Sequence, residues 1–268
     1  MRSAALSMMT ATLCALAGCG GGNADFLTES RLENGLVIIL PGIEGESSFN
    51  HDIRKGLVEA GIDRALPIHR WGRPIPVAGM ILNQVDFLGN RLAAMRIAQM
   101  ITAYQDAHPG KPVHLIGHSG GGGIAVFAVE ALPEDRQVDG LVLLSASISS
   151  AYDLTKALKK CRSGVTSFYS RADVGLLVIG TIIAGTVDGT HGPGAGAVGF
   201  DLPREDAAPA KKAAYAKLYQ VELTQQMTGG GDTHTGATSD YFVAEHVAPL
   251  LVTQTWPATS VTMATPRP

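Results

Sequence analysis

This 268-residue chain has little with which to staple itself or to grip a nucleic acid. Its cysteines are Cys14, Cys19 and Cys161, too few and too scattered for the disulfide framework of a small secreted domain. Charged side chains make up 17% of the residues and the formal net charge is −3. No lysine and arginine cluster accompanies them, so nothing recommends nucleic acid as a partner. Aromatics are scarce at 6%, and no carbohydrate- or peptide-binding signature is visible. No segment reaches transmembrane length without interruption. Asp232-x-His234 is a ligand pair without a third member, so no metal site is expected. What the chain does have is 46% hydrophobic residues over 268 positions, long enough for one well-buried α/β domain and too short for two.

The N-terminus is set aside from the fold. Arg2 gives a short basic start, Ala4 to Leu16 is an apolar run too short to span a bilayer, and Leu16-Ala17-Gly18-Cys19 follows, which is the layout of a secretory signal over residues 1–18. Its ending resembles a bacterial lipobox. That resemblance implies a thioether-linked diacylglycerol on Cys19 and a protein tethered to a membrane of the cell envelope, facing the periplasm or the exterior. Acyl chains contribute about 0.8 kcal/mol per buried CH₂, so two or three would hold it almost permanently. Gly20-Gly21-Gly22-Asn23 opens a flexible linker over residues 19–33. Loss of Met1 to Gly18 removes one cation, Arg2, and takes the net charge from −3 to −4. Cys161 then has no partner, and the fold must rest on its core alone.

Strand-like apolar runs occupy Leu36 to Leu40, Arg64 to Ile68, Val113 to Ile116, Val138 to Ser145, Val165 to Tyr169 and Leu218 to Leu223. Helical spacing fills Phe49 to Ala60, Asp86 to Ala107, Gly122 to Leu132, Ala151 to Lys160 and Tyr241 to Leu251. Six strands alternating with helices imply a mostly parallel, doubly wound sheet covered on both faces, spanning residues 34–252. Thr186 to Ala208, rich in glycine, alanine and proline, reads as a long surface insertion that either shapes a binding mouth or fills space. Arg73 to Leu82 is a second rim candidate. The small, polar tail from Thr253 to Pro268 is expected to be disordered.

The most informative stretch is the strand Val113-His114-Leu115-Ile116 running into Gly117-His118-Ser119-Gly120-Gly121 and then a helix. Strand, G-x-S-x-G and helix in this order form a nucleophile elbow, a turn so sharp that only glycines fit beside the serine. A serine hydroxyl needs a base to take its proton and a third group to orient that base. The order on this topology is Ser, acid, His. His51, His69, His108 and His114 precede the serine, and His118 sits on the elbow itself. Of His191, His234 and His246, His234 fits best, because it follows the last strand and precedes the final helix, at the sheet end where ligands gather. His191 is the reserve and His246 reads as a helix residue. Asp173, just past Val165 to Tyr169, is the candidate acid; it is equally placed to cap a helix starting at Val174, and Asp188 and Asp201 are alternates. Two backbone N–H groups should hold the oxyanion. Gly120 supplies one, and the loop Pro41-Gly42-Ile43-Glu44-Gly45 supplies the other, with Ile43 preferred. Glu44 either caps the next helix or lines the pocket.

Through Pro41-Gly42-Ile43, the elbow, Asp173 and His234, residues 34 to 252 resemble the α/β-hydrolase superfamily. The resemblance implies attack by Ser119 on an acyl carbonyl, an acyl-enzyme, release to water or another acceptor, and no metal or organic cofactor. The chain departs from the family in carrying Pro41 where many members have His, and in lacking the first two strands of the full sheet, which implies a compact variant. Ester hydrolysis on a small-molecule or lipid substrate is the expected activity. Acyl transfer to an envelope acceptor and an inert binding lipoprotein are the alternatives. Gly120-Gly121-Gly122-Gly123-Ile124-Ala125 also matches G-x-G-x-x-A, but the following strand ends in Ser145-Ala146-Ser147 without the acid a dinucleotide ribose requires, so no such cofactor is expected.

Overall fold

The computed structural model describes residues 22–72, 86–171, 185–230, 232–253 and 256. Five parallel strands make the sheet: β1 Leu36–Leu40, β2 Val113–His118, β3 Val138–Leu144, β4 Cys161–Tyr169 and β5 Leu218–Glu222, in spatial order β1-β2-β3-β4-β5. β1, β2 and all but one residue of β3 are buried on both faces, as expected of parallel strands sandwiched between helices. The helices are α1 Glu29–Asn34, α2 Ser48–Glu59, α3 Phe87–Ala107, α4 Gly120–Glu130, α5 Thr155–Lys160, α6 Ala195–Val198, α7 Pro209–Tyr215, α8 Thr233–Gly236, α9 Asp240–Phe242 and α10 Ala248–Val252.

Two cores lie on opposite faces of the sheet. On one, Ile97, Ile101 and Tyr104 of α3, Ile124 and Phe127 of α4, Leu158 of α5 and Tyr215 of α7 pack against Ile38, Leu115 and Leu141. On the other, Ile53 and Leu57 of α2 and Phe242, Leu250 and Leu251 near the C-terminus cover Ile39, Ile116 and Val142. The apolar residues of α2 and α3 recur at three- and four-residue steps, the spacing that gives a helix one buried stripe. Asp86 starts α3 by accepting from the Gly89 N–H at 2.9 Å, and Asn50 Oδ1 accepts the Ser47 N–H at 2.9 Å at the head of α2, each satisfying a backbone donor that the helix start leaves open.

Three expectations need correction. The sixth strand, Arg64 to Ile68, is an edge of isolated bridges, Leu36 with Ala65 and Ile39 with Ile68. Val37 donates to Ala65 O, Ile39 to Pro67 O and His69 to Ile39 O, but Pro67 has no N–H to return to β1, so the ladder breaks there. From Asn23 onward, the stretch read as a flexible linker over residues 19–33 is folded. Asn23 is 3% exposed, its amide donates to Ile68 O at 2.9 Å and its carbonyl oxygen accepts from Ile68 N and from Arg54, after which α1 is already folded. Trp256, assigned above to the disordered tail, is 7% exposed; its indole donates to Leu250 O and lies where Gly140 leaves room.

The final helix also differs. Tyr241 to Leu251 is divided into α9, a π-helical turn Val243–Val247, and α10, because Pro249 cannot continue an α-helical hydrogen-bond ladder. The 186–208 insertion is packed. Val187 donates to Ser147 O, Ala195 to Ile148 O and Gly196 to Ala146 O, and Val187, Ala195 and Phe200 are buried.

At the opposite end of the sheet from the elbow, His114 is buried with its Nδ1 3.2 Å from Arg64 Nη1. Burial, then the Arg64 charge, pushes its pKa down to about 3. His118 is likewise pushed down to about 3, first by burial and then by the charge of His234. Folded protein keeps both neutral to about pH 3, whereas the unfolded chain protonates near 6.5. The unfolded state therefore binds more protons between those values, and these two residues make stability fall as pH drops from 6.5 toward 3, with no effect above. Glu44 and Glu130, held above their usual value by burial, act in the opposite sense just above pH 4.5. A thermal-melt series from pH 8 to 5 should show the midpoint falling below pH 6.5, with a shallower fall in His114→Gln; equal slopes would contradict the assignment.

Candidate active site

The winding of the chain makes one crevice. From β1 the chain crosses to α2 on one face and then to the 65–68 edge; from β2 it crosses to α4 on the other face. The loops leaving β1 and β2 therefore diverge, and the gap between them at the carboxyl ends of the strands is where open α/β sheets place ligands. Ser119 stands in that gap. Its φ is 51° and ψ −122°, a region that costs a non-glycine residue on the order of 1–3 kcal/mol. The surroundings hold it there: Ser119 N donates to Leu144 O at 3.0 Å, and its carbonyl accepts from Gly122 N at 3.0 Å and Ser147 N at 2.9 Å. The glycines of the elbow are required by contact. A Cβ on Gly117 would lie 2.5 Å from Gly121 O, and one on Gly121 would fall within the van der Waals shells of Leu40 O and Pro41 O.

That same contact seats the β1 loop against the elbow. Ile43 N lies 3.5 Å from where a Gly120 Cβ would be, and the Ile43 side chain is closer still, so the two candidate oxyanion donors are neighbours. Trp71 braces the loop, donating from Nε1 to Pro41 O at 2.7 Å with its ring edge against Gly120. The free sides of Gly122 and Gly123 are filled by Ala146 and Val187, so the run Gly120 to Gly123 serves close packing of α4. Among the described residues, no three His, Cys, Asp or Glu side chains come together as metal ligands.

His234 is brought to the elbow. Asp232 caps α8 by accepting from His234 N at 3.1 Å and Thr235 N at 2.9 Å, which fixes the backbone on which the imidazole stands. Ser170, buried at the exit of β4, donates its hydroxyl to Thr233 Oγ1 at 2.8 Å and ties the His234 loop to that strand end. The His234 ring lies 5.3 Å, centroid to centroid, from that of His118, the residue before Ser119. His118 is itself 2% exposed, and its low pKa keeps it neutral, so it is no competing base.

The other candidates separate. His191 is exposed on the insertion, and His246 packs on Phe242 at 4.9 Å in the π-helical turn. Asp188 is engaged by Ser149 N and Thr190 Oγ1, each at 3.0 Å, and Asp201 lines a separate surface cleft of about 330 Å³ with Tyr215 and Lys211. Asp173 and Cys19 lie outside the described residues, as does Arg73 to Leu82. Glu44 does not cap α2, where Asn50 serves. It turns back over Gly42, with Oε1 3.4 Å from Ser47 Oγ and 4.0 Å from His118 Nδ1.

Sequence reasoning missed four contributors. Ser145 has φ 48° and is wholly buried; its turn sends the chain back so that Ser147 can reach Ser119. Trp71, Ser170 and Thr233 act through contacts between elements distant in sequence, and none carries a local signature.

The model of the serine aminopeptidase S33 family matches residues 33–230, a stretch that includes Ser119 and Asp173 and ends four residues before His234. No curated protein matches this sequence. Among solved structures, lipase B of Aspergillus fumigatus is similar at 17% identity and TM-score 0.48, over 82% of this chain and 52% of that one, so the chain spans about half the length of that lipase. A lipase-esterase related protein from Clostridium acetobutylicum is similar at 10% identity and TM-score 0.46, over 81% of this chain and 94% of that one. Trichoderma reesei cutinase, at 15% identity and TM-score 0.36, is similar over 92% of this chain and 90% of that one.

Proposed function

Because the chain belongs to the serine aminopeptidase S33 family of α/β-hydrolase serine hydrolases, we propose that it cleaves carboxylic esters through an acyl-enzyme on Ser119. The observation that carries this reading is the strained Ser119 in the crevice between the loops leaving β1 and β2. The approach of the His234 ring to the elbow supports His234 as its base. His234 takes the Ser119 proton as Oγ attacks the acyl carbon. Backbone N–H groups of Ile43 and Gly120 then receive the oxyanion, a donor of this kind contributing about 3 kcal/mol to the barrier. The tetrahedral adduct collapses as His234 returns the proton to the leaving alkoxide. Water, deprotonated in turn by His234, releases the acid and regenerates Ser119. Asp173 is assigned to orient the imidazole and stabilise its charged form.

Graded p-nitrophenyl esters, with an aminoacyl p-nitroanilide for comparison, test the substrate class: ester turnover that exceeds anilide turnover and disappears in Ser119→Ala supports the reading. Anilide turnover alone would overturn the ester assignment. A short alcohol added as competitor separates water from an acyl acceptor, since transfer would yield the new ester.

The reading extends to the envelope: residues 1–18 are removed, Cys19 is lipidated, and the domain from about residue 34 to 252 works beside a membrane. Metabolic labelling with palmitate in a bacterial host is expected to mark the wild type and not Cys19→Ser, with the variant leaving the membrane fraction. Equal labelling of both would end this part of the proposal.

A further inference from the structure

We propose that Glu44 is a positioning residue of this site, its carboxylate acting across the ring of His118 to favour the cation that His234 becomes when it takes the Ser119 proton. The proposal rests on the assignment of Ser119 and His234 above. Its geometry is a layered one. Glu44 leaves the β1 loop two residues after Gly42 and folds back over that glycine, whose missing Cβ makes the room. Its Oε1 comes to 4.0 Å from His118 Nδ1, and the His118 ring in turn faces His234 at 5.3 Å. Phe49, from α2, also packs on His118, edge to face with ring centroids 5.9 Å apart. The carboxyl and the proposed base thus both adjoin one neutral, buried imidazole, a setting in which charge is poorly screened.

Among the described residues, the titratable groups facing His234 are Glu44 from the β1 loop, His118 from β2 and Asp232 from its own loop. Both oxygens of Asp232 are already committed to backbone N–H groups and to Thr235. Glu44 accepts from Ser47 Oγ at 3.4 Å and from backbone N–H groups of its own loop. Partial burial raises its carboxyl above the usual value, while the N–H groups of Glu44 and Gly42, Ser47 and the charge of His234 oppose that rise. Attraction between the two groups is reciprocal, so whatever a charged His234 does to ionise Glu44, an ionised Glu44 does to charge His234. A carboxylate with 27% of its side chain exposed acts as a modest lever.

The test is the pH dependence of kcat and KM for an activated ester in wild type and Glu44→Gln, with active sites counted by fluorophosphonate labelling. Glutamine keeps the shape over Gly42 and the contact with Ser47 and removes only the charge. The expected result is a kcat lowered roughly threefold to tenfold, KM little changed, and an acid limb displaced to lower pH by about half a unit to one unit. Glu44→Asp, which retains the charge, should keep the wild-type limb. Superimposable limbs in wild type and Glu44→Gln would overturn the proposal, as would a limb displaced in Glu44→Asp as far as in Glu44→Gln. Should Glu44→Gln fail to fold, Glu44→Ala takes its place, with the same displacement of the limb expected and superimposable limbs again overturning the proposal. Absence of labelling at Ser119 in the wild type would remove the assignment beneath, whereas labelling with an unmoved limb would remove the role of Glu44 only.

Discussion

Ser119→Ala is expected to lower kcat/KM for ester substrates by four orders of magnitude or more, to the residual level that binding and oxyanion donors alone sustain. Its fold should survive. The side chain contributes no structural hydrogen bond among the described residues, while the backbone bonds to Leu144 O and from Gly122 N and Ser147 N that hold the elbow involve main-chain atoms that alanine keeps. Alanine at φ 51° remains as strained as serine, so the melting temperature should change little. Ser119→Gly offers the complementary reading: glycine tolerates that backbone, and the variant is expected to be inactive yet more stable, by on the order of 1 kcal/mol. A melting temperature unchanged or lowered in Ser119→Gly would mean that the elbow is not strained in solution.

The second large effect is expected from a methyl group. Gly121→Ala places a Cβ against Leu40 O and Pro41 O, backbone atoms that cannot rotate away. Overpacking of this kind typically costs about 1–3 kcal/mol, and here relief requires the β1 loop to separate from α4. That loop carries Ile43, so the damage should fall on transition-state stabilisation as well as on stability. An activity loss of about 10²-fold to 10³-fold, the scale of one lost oxyanion donor, is expected in protein that still folds and still reacts slowly with fluorophosphonate. Gly122→Ala meets the Ala146 side chain instead and should cost stability with a far smaller loss of kcat. Equal losses of kcat in the two variants would argue against a role for the Ile43 loop.

Much of this arrangement could be read from the chain because it depends on local pattern. Apolar runs bounded by helices mark the five strands of the sheet, and the elbow carries its own signature in Gly117-His118-Ser119-Gly120-Gly121. Placement of His234 after β5 followed from strand counting, and the structure sets that residue beside the elbow through Ser170 and Thr233. What escaped depends on contacts made only after folding. Pro67 sits in an apolar run that looks like a strand, and its missing N–H matters only because the run lies on the sheet edge. The glycine-rich 186–208 stretch has the composition of a free loop, but its backbone is satisfied by the chain leaving β3. Trp256 looks like part of a polar tail, but Gly140 leaves it a place above β3. For Glu44, sequence left a cap and a pocket wall as equal readings, and Asn50, three residues past the N-cap Ser47, took the first role.

The central claim is that the hydroxyl of Ser119 reacts because His234 removes its proton. Mass spectrometry of the full-length protein treated with a fluorophosphonate tests it directly, by locating the adduct and timing its formation in wild type and His234→Gln. One adduct per chain is expected, on the peptide containing Ser119, forming at least a hundredfold more slowly in His234→Gln at neutral pH. An adduct elsewhere, or equal rates in the two proteins, would contradict it.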